Sequence, residues 1–144
     1  MRNLNIGCGE KDFPDCVNVD IRHTSITHLI YDLEKFPYPF EDNEFENIYA
    51  YDILEHLTDV MAVMEELHRI LKVGGKLFIR TNNWRFENAF TDPTHKHFFT
   101  LRSFDYFDPN TEMGAKYGYY SKGKFSIARK IESGQEIELD LVKI

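Results

Sequence analysis

Leu4-Asn5-Ile6-Gly7-Cys8-Gly9, followed a few residues later by Val19-Asp20, decides how this chain is read. A short apolar run that ends in glycine predicts a strand breaking into a loop. Glycines at 7 and 9 let that loop pass close to a ligand with no Cβ in the way. Residues 16–21 alternate around Val17 and Val19 and predict a second strand, with Asp20 near its carboxyl end. An acid in that place accepts hydrogen bonds from both hydroxyls of a ribose. Glycine pairs by themselves are weak evidence, because most of them only make a turn. A dinucleotide fingerprint would add a third glycine after Gly9 and place its acid about 20 residues on. Here position 12 is Asp12 and the acid comes sooner, which argues against nicotinamide or flavin.

Working outward, residues 27–31, 47–51 and 76–81 are three more short apolar runs. Between the last two lies the clearest helix, residues 58–72. Val60, Val63, Met64, Leu67, Ile70 and Leu71 repeat there at three- and four-residue spacing. Thr58 is the expected N-cap, Asp59 favours the positive end of the helix dipole, and Lys72 and Gly74 suit its other end. Strand, helix, strand with short links is a parallel crossover. Residues 124–132 and 135–144 flank Ser133-Gly134 and predict an antiparallel hairpin. The expected fold is α/β: a Rossmann-like, mostly parallel sheet with helices on both faces, closed by that hairpin, in one domain over residues 1–144. Its first crossover helix is shortened, since Gly9 to Val17 leaves too little room and Pro14 fits a helix badly. Ligands of such sheets bind beyond the carboxyl ends of the strands.

At 144 residues and 42% hydrophobic, the chain can bury one core. The net charge of −7 argues against a chain built to grip phosphate backbones, so no nucleic acid is expected as a partner. Residues 1–72 hold 15 acids against 6 Lys and Arg, and residues 73–144 hold 9 against 11, which leaves an anionic acceptor open for the second half. Cys8 and Cys16 form no CxxC pair and suit a reducing compartment. With no leader and no apolar run long enough to span a bilayer, a cytoplasmic protein without a membrane span is expected. The sequence is silent on oligomeric state.

The ordered combination is more specific than any one motif. Leu4 to Gly9, Val19-Asp20, Tyr31-Asp32-Leu33, Phe36-Pro37-Tyr38-Pro39-Phe40, Asp52-Ile53-Leu54-Glu55-His56-Leu57, Glu66-Leu67-His68-Arg69-Ile70-Leu71-Lys72 and Gly74-Gly75 together resemble the class I S-adenosylmethionine-dependent methyltransferases. The resemblance runs to about Asn82 and is to a compact, small-molecule type of the family. It implies S-adenosylmethionine as cofactor. Asn5, Gly7, Cys8 and Gly9 would form the loop under the methionine portion, and Asp20 with Ile21 would meet the ribose. Asp32 with Leu33 would meet the adenine, and Tyr51 with Asp52 would face the reacting methyl. The Leu54-Glu55-His56-Leu57 stretch would support the pocket.

Methyl transfer from a sulfonium needs alignment, water exclusion and sometimes a base. An aromatic such as Tyr51 can stabilise the sulfonium charge. His95 is the first candidate for a general base and His97 the second, because imidazole titrates near neutrality. The plainer reading of each is a histidine that only bonds a loop backbone. Asp92, His95 and His97 have metal-donor chemistry, but two histidines and an acid in a loop are slight evidence, and no metal is expected. The chain has neither an Asn/Asp/Ser-Pro-Pro-aromatic segment after its fourth strand nor a Pro-Cys nucleophile, which sets aside methylation of DNA bases. Residues 108–123 are expected to form an irregular lid. The expected activity is methyl transfer to a hydroxyl of a small molecule or carbohydrate. The alternative is an inactive S-adenosylmethionine-binding module that serves a partner subunit, for which the shortened first crossover speaks.

Overall fold

The computed structural model describes residues 2–144. Seven strands form one sheet: β1 (Asn3–Ile6), β2 (Cys16–Asp20), β3 (Leu29–Ile30), β4 (Phe45–Tyr51), β5 (Leu71–Asn82), β6 (Phe125–Glu132) and β7 (Glu136–Lys143). Their order across the sheet is β3-β2-β1-β4-β5-β7-β6. Neighbours from β3 to β5 run parallel, and β7 runs antiparallel to both β5 and β6. The expected hairpin therefore closes an otherwise parallel sheet. The chain steps outward from β1 to β3, then returns to the other side of β1 with β4. The gap between the carboxyl ends of β1 and β4 is the switch point at which open sheets of this kind bind ligands.

Burial explains the strand sequences. All of β1 is buried, as a strand paired on both sides in mid-sheet must be. In β7 buried residues alternate with half-buried ones, Ile137, Leu139 and Leu141 facing the core. The helix between β4 and β5 is α1 (Val60–Ile70), and Val60, Val63, Met64, Leu67 and Ile70 bury one of its faces. Its N-cap is Asp59 and not Thr58. The Asp59 carboxylate accepts from Ala62 N at 3.0 Å, while Thr58 is spent on Glu34. At its other end α1 runs straight into β5 at Leu71, so Gly74 serves the strand and not the helix cap.

The first crossover goes further than shortening: residues 7–15 make only turns, and residues 21–28 contain no helix either. Side-chain amides hold the chain where a helix would have stood. Asn5 Nδ2 donates to Lys11 O at 2.7 Å and to Asn18 Oδ1 at 3.0 Å, and Asn18 Nδ2 donates to Asp12 Oδ1 at 2.9 Å. Both asparagines are buried and satisfied, as buried amides need to be. Among the described residues α1 is the only α-helix in a parallel crossover, preceded there by a single 3-10 turn at Leu54–His56, so the sheet is not flanked by full helices throughout. After β5 come α2 (Asn88–Thr91) and α3 (Glu112–Tyr117). The expected irregular lid is instead largely helical. Thr111 caps α3 by accepting from Gly114 N at 2.9 Å, and Asp108 Oδ2 ties the segment to β6 by accepting from Ile127 N at 2.9 Å. No helix among the described residues is long and apolar enough to cross a membrane.

Candidate active site

A cavity of about 920 Å³ opens beyond the carboxyl ends of β1, β2 and β4. That is within the range of roughly 300–1,000 Å³ usual for small-molecule sites. Its floor is the loop after β1. Gly7 has φ +61°, and a Cβ there would lie 2.6 Å from the Ile53 side chain, so only glycine fits without a shift. Gly9 has φ +53° and nothing within 4 Å of where a Cβ would stand. The space above Gly9 is thus open to a ligand. Cys8 N donates to Val19 O at 3.0 Å and holds this loop against β2.

Asp20 is 7% exposed and is held by two backbone N–H groups, with the Arg22 guanidinium 3.6 Å from its Oδ1. Its Oδ2 accepts from Gly9 N at 2.8 Å and its Oδ1 from Arg22 N at 2.9 Å. Each carboxylate oxygen has a second lone pair, so the group is positioned and still able to accept two hydroxyls. Asp32, one turn beyond β3, is set in the same way by Glu34 N donating to its Oδ1 at 3.0 Å. Asn5, Gly7, Cys8, Gly9, Asp20, Ile21, Asp32, Leu33, Tyr51 and Asp52 all line this one cavity. Two anchored carboxylates, a glycine floor and apolar Ile21 and Leu33 are the acceptor and shape set that an adenosine with an attached amino acid needs, and the residues present fit that group.

On the opposite wall the sequence singled out Tyr51 and Asp52 but not Arg80 or Lys11, which line the cavity beside them. Asp52 adopts φ +57°, rare for a residue with a side chain, and its Oδ2 takes Arg80 Nη2 at 2.5 Å. Arg80 in turn lies 4.7 Å from the centre of the Tyr51 ring, and Lys11 Nζ lies 5.2 Å from it. The Tyr51 ring therefore already meets two of the protein's own cations. Burial opposes the charge on Arg80, but the Asp52 carboxylate outweighs it and raises the arginine pKa. Glu55, 2% exposed, accepts from Thr81 Oγ1 through Oε2 and leaves Oε1 without a partner, and burial pushes its pKa up. Its backbone carbonyl accepts from Lys96 N at 2.7 Å and His97 N at 3.3 Å. The 54–57 motif thus supports the pocket by pinning the loop after α2.

That loop brings Asp92, Thr94 and Lys96 to the cavity, where they meet His56. Lys96 Nζ donates to Glu34 Oε2 at 3.1 Å, and Glu34 also accepts from Thr58 N at 2.8 Å. Burial would raise the Glu34 pKa, but the Thr58 and Lys96 contacts outweigh it and hold the carboxyl below its usual range. His95 and His97 do not line the cavity. His95 packs edge-on against His56, ring centres 4.6 Å apart, and its Nδ1 lies 2.7 Å from Ala89 O. His97 Nε2 meets Thr58 O at 3.0 Å beside a separate groove walled by Phe99 and Phe104. Each is anchored to a backbone carbonyl, and the histidine that reaches the cavity is His56. Only packing distance, invisible in sequence, separates the three.

Residues 4–79 match the family model described as a methyltransferase domain, more than half of the chain. The chain belongs to the methyltransferase domain family. It is a methyltransferase domain of the S-adenosylmethionine-dependent class, with S-adenosylmethionine as its cofactor. It is 26% identical over 84 residues to a mitochondrial ubiquinone biosynthesis O-methyltransferase of Dictyostelium discoideum, a stretch covering 58% of this chain and 26% of that protein. It is 35% identical over 72 residues to a sterol 4-C-methyltransferase of Caenorhabditis elegans, covering 47% of this chain and 20% of that one. The methyltransferase domain thus spans about a quarter or less of the length of these curated relatives. Its fold is shared with an S-adenosylmethionine-dependent methyltransferase from Mesorhizobium loti, with a TM-score of 0.70 at 13% identity over 99% of this chain and 90% of that structure.

Proposed function

We propose that the chain is an S-adenosylmethionine-dependent methyltransferase acting on a hydroxyl of a small molecule, a sugar or a glycan end, in the cytoplasm. One observation carries the reading: ten residues spread from Asn5 to Asp52 line a single cavity at the switch point of the sheet. Bound S-adenosylmethionine supplies a methyl group on a sulfonium, which needs no further activation as an electrophile. What remains for the protein is alignment, exclusion of water and management of one proton.

Asp20 accepts the ribose hydroxyls on the lone pairs that Gly9 and Arg22 leave free, and Asp32 accepts the adenine amino group. The loop from Gly7 to Gly9 passes under the methionine portion, with Cys8, Tyr51 and Asp52 around it. Ile21 and Leu33 pack against the adenosine. The wall formed by His56, Asp92, Thr94 and Lys96 would receive the acceptor, whose hydroxyl proton leaves to water as the new O–C bond forms. His95 acts through His56 as a positioning residue, and His97 anchors the loop. The mixed polar wall suits a hydroxyl acceptor better than an apolar one.

A second reading is a binding module without catalysis. The lack of any helix in the first crossover favours it, because no helix N-terminus then stands beneath the cofactor. Incubation with S-adenosylmethionine and a panel of hydroxyl acceptors separates the two. Continuous release of S-adenosylhomocysteine supports the enzyme, and binding without turnover on every acceptor supports the module.

A further inference from the structure

At the acceptor side of the cavity stand two side chains that cofactor binding leaves unused, with a third packed behind them. They are His56 after β4, and Asp92 and His95 in the loop after α2. Ring nitrogens and a carboxylate oxygen from the three lie within 4.8 Å of one another. The hydrogen bonds around them decide which atoms are free. His95 Nδ1 lies 2.7 Å from Ala89 O, and a carbonyl only accepts, so Nδ1 carries the proton and Nε2 keeps its lone pair. Thr94 Oγ1 donates to Asp92 Oδ1 at 2.7 Å. Having spent its proton, that hydroxyl accepts from His56 Nδ1 at 2.9 Å, which leaves Nε2 of His56 free as well. Asp92 Oδ1 takes both Thr94 N and Thr94 Oγ1, so Oδ2 is its open oxygen, 3.7 Å from His95 Nε2.

Two imidazoles, each with one nitrogen not engaged by the protein, thus stand in one cluster with an open carboxylate oxygen, a donor set that a cation can use. We propose that His56, Asp92 and His95 form a binding site for a divalent d-block cation such as zinc. Two nitrogens and one oxygen suit zinc and its neighbours, whereas magnesium and calcium take all-oxygen shells. Each imidazole also donates its one N–H, on Nδ1, to a protein oxygen, Ala89 O or Thr94 Oγ1, the outer contact that orients metal-binding histidines. Ligands at roughly 2.1 Å around a tetrahedral ion stand about 3.4 Å apart, so side-chain rotations close the site with no movement of the sheet.

His56 and Asp92 line the cavity, and the open coordination positions therefore face the acceptor. The role of the ion rests on the proposed transfer to a hydroxyl, but its binding does not. There it would hold the acceptor oxygen and lower the pKa of its hydroxyl, the O–H bond breaking with its electron pair left on oxygen and the proton passing to water.

The test is titration of the chelator-treated full chain with cobalt(II), followed by visible absorption, and with zinc, followed by calorimetry. Circular dichroism and S-adenosylmethionine titration are run on the same samples. One equivalent is expected to bind, with d–d bands, and Asp92→Asn and His56→Gln are expected to weaken it about 10-fold or more, while the exposed His23→Gln leaves it unchanged. No stoichiometric binding to folded protein overturns the site, as does binding that Asp92→Asn and His56→Gln leave intact. Loss of the metal with cofactor binding preserved overturns this inference alone. Metal binding without cofactor binding upholds the site and overturns the cofactor reading.

Discussion

The two walls of the cavity are built by different means. On the side of Gly9, Asp20 and Asp32, every functional group is fixed by nearby backbone: Gly9 N to Asp20 spans 11 positions, Arg22 N to Asp20 spans 2, and Glu34 N to Asp32 spans 2. On the side of His56, the ties reach far along the chain: 38 positions from His56 to Thr94, 28 from Arg80 to Asp52 and 62 from Lys96 to Glu34. The first wall is a property of strand ends and their turns. The second exists only once α1, β5 and the loop after α2 have packed. A cofactor common to a family suits the locally built wall, and an acceptor peculiar to one member suits the wall assembled from distant pieces.

The sharpest way to break this division is Asp20→Ala. Two charge-assisted hydrogen bonds of roughly 1.5–3 kcal/mol each would be lost, so cofactor affinity is expected to fall about 100-fold or more in a calorimetric titration. An unchanged affinity would refute the assignment of this wall. His56→Ala is expected to lower turnover by about 100-fold, with cofactor affinity altered less than about threefold. Parallel loss of both in steady-state kinetics and titration would erase the distinction between the walls. His97→Ala serves as comparison and is expected to change turnover only a few-fold.

Smaller effects sharpen the picture. Asp59→Ala removes the α1 cap and is expected to cost about 1 kcal/mol in thermal unfolding, leaving cofactor affinity as it was. Glu34 ties the acceptor loop to β3, and its pKa is held down in the folded state. A depressed carboxylate contributes stability that is present above its unfolded value, about 4.3, and is lost as pH falls through the folded value. Glu34→Gln is therefore expected to destabilise at neutral pH by no more than about 1 kcal/mol, since the pair is partly solvated, and to differ less from the parent near pH 3. Thermal unfolding across that range checks the sign.

The same division explains what could be read from the sequence. The strands, α1 and the closing hairpin follow from local patterns: apolar runs ending in glycine or acid, and one helical period; the ten cavity residues from Asn5 to Asp52 sit at or just beyond those strand ends, where the family resemblance put them. Asp20 could be placed because strand end and ligand contact coincide. Arg80 could not, since its role depends on Asp52 sitting across a parallel pairing. His95 and His97 have the right chemistry two residues apart, yet neither lines the cavity, which His56 reaches from the turn after β4. Residues 7–15 mark the limit from the other side. Too few residues predict a short helix, but only buried amides such as Asn5 and Asn18 reveal that none is needed.

The most direct test is a calorimetric titration of the purified chain with S-adenosylmethionine and then S-adenosylhomocysteine. Binding of one equivalent at micromolar strength, abolished by Asp20→Ala, is the expected result. Absence of binding by either compound to protein shown to be folded would contradict the account.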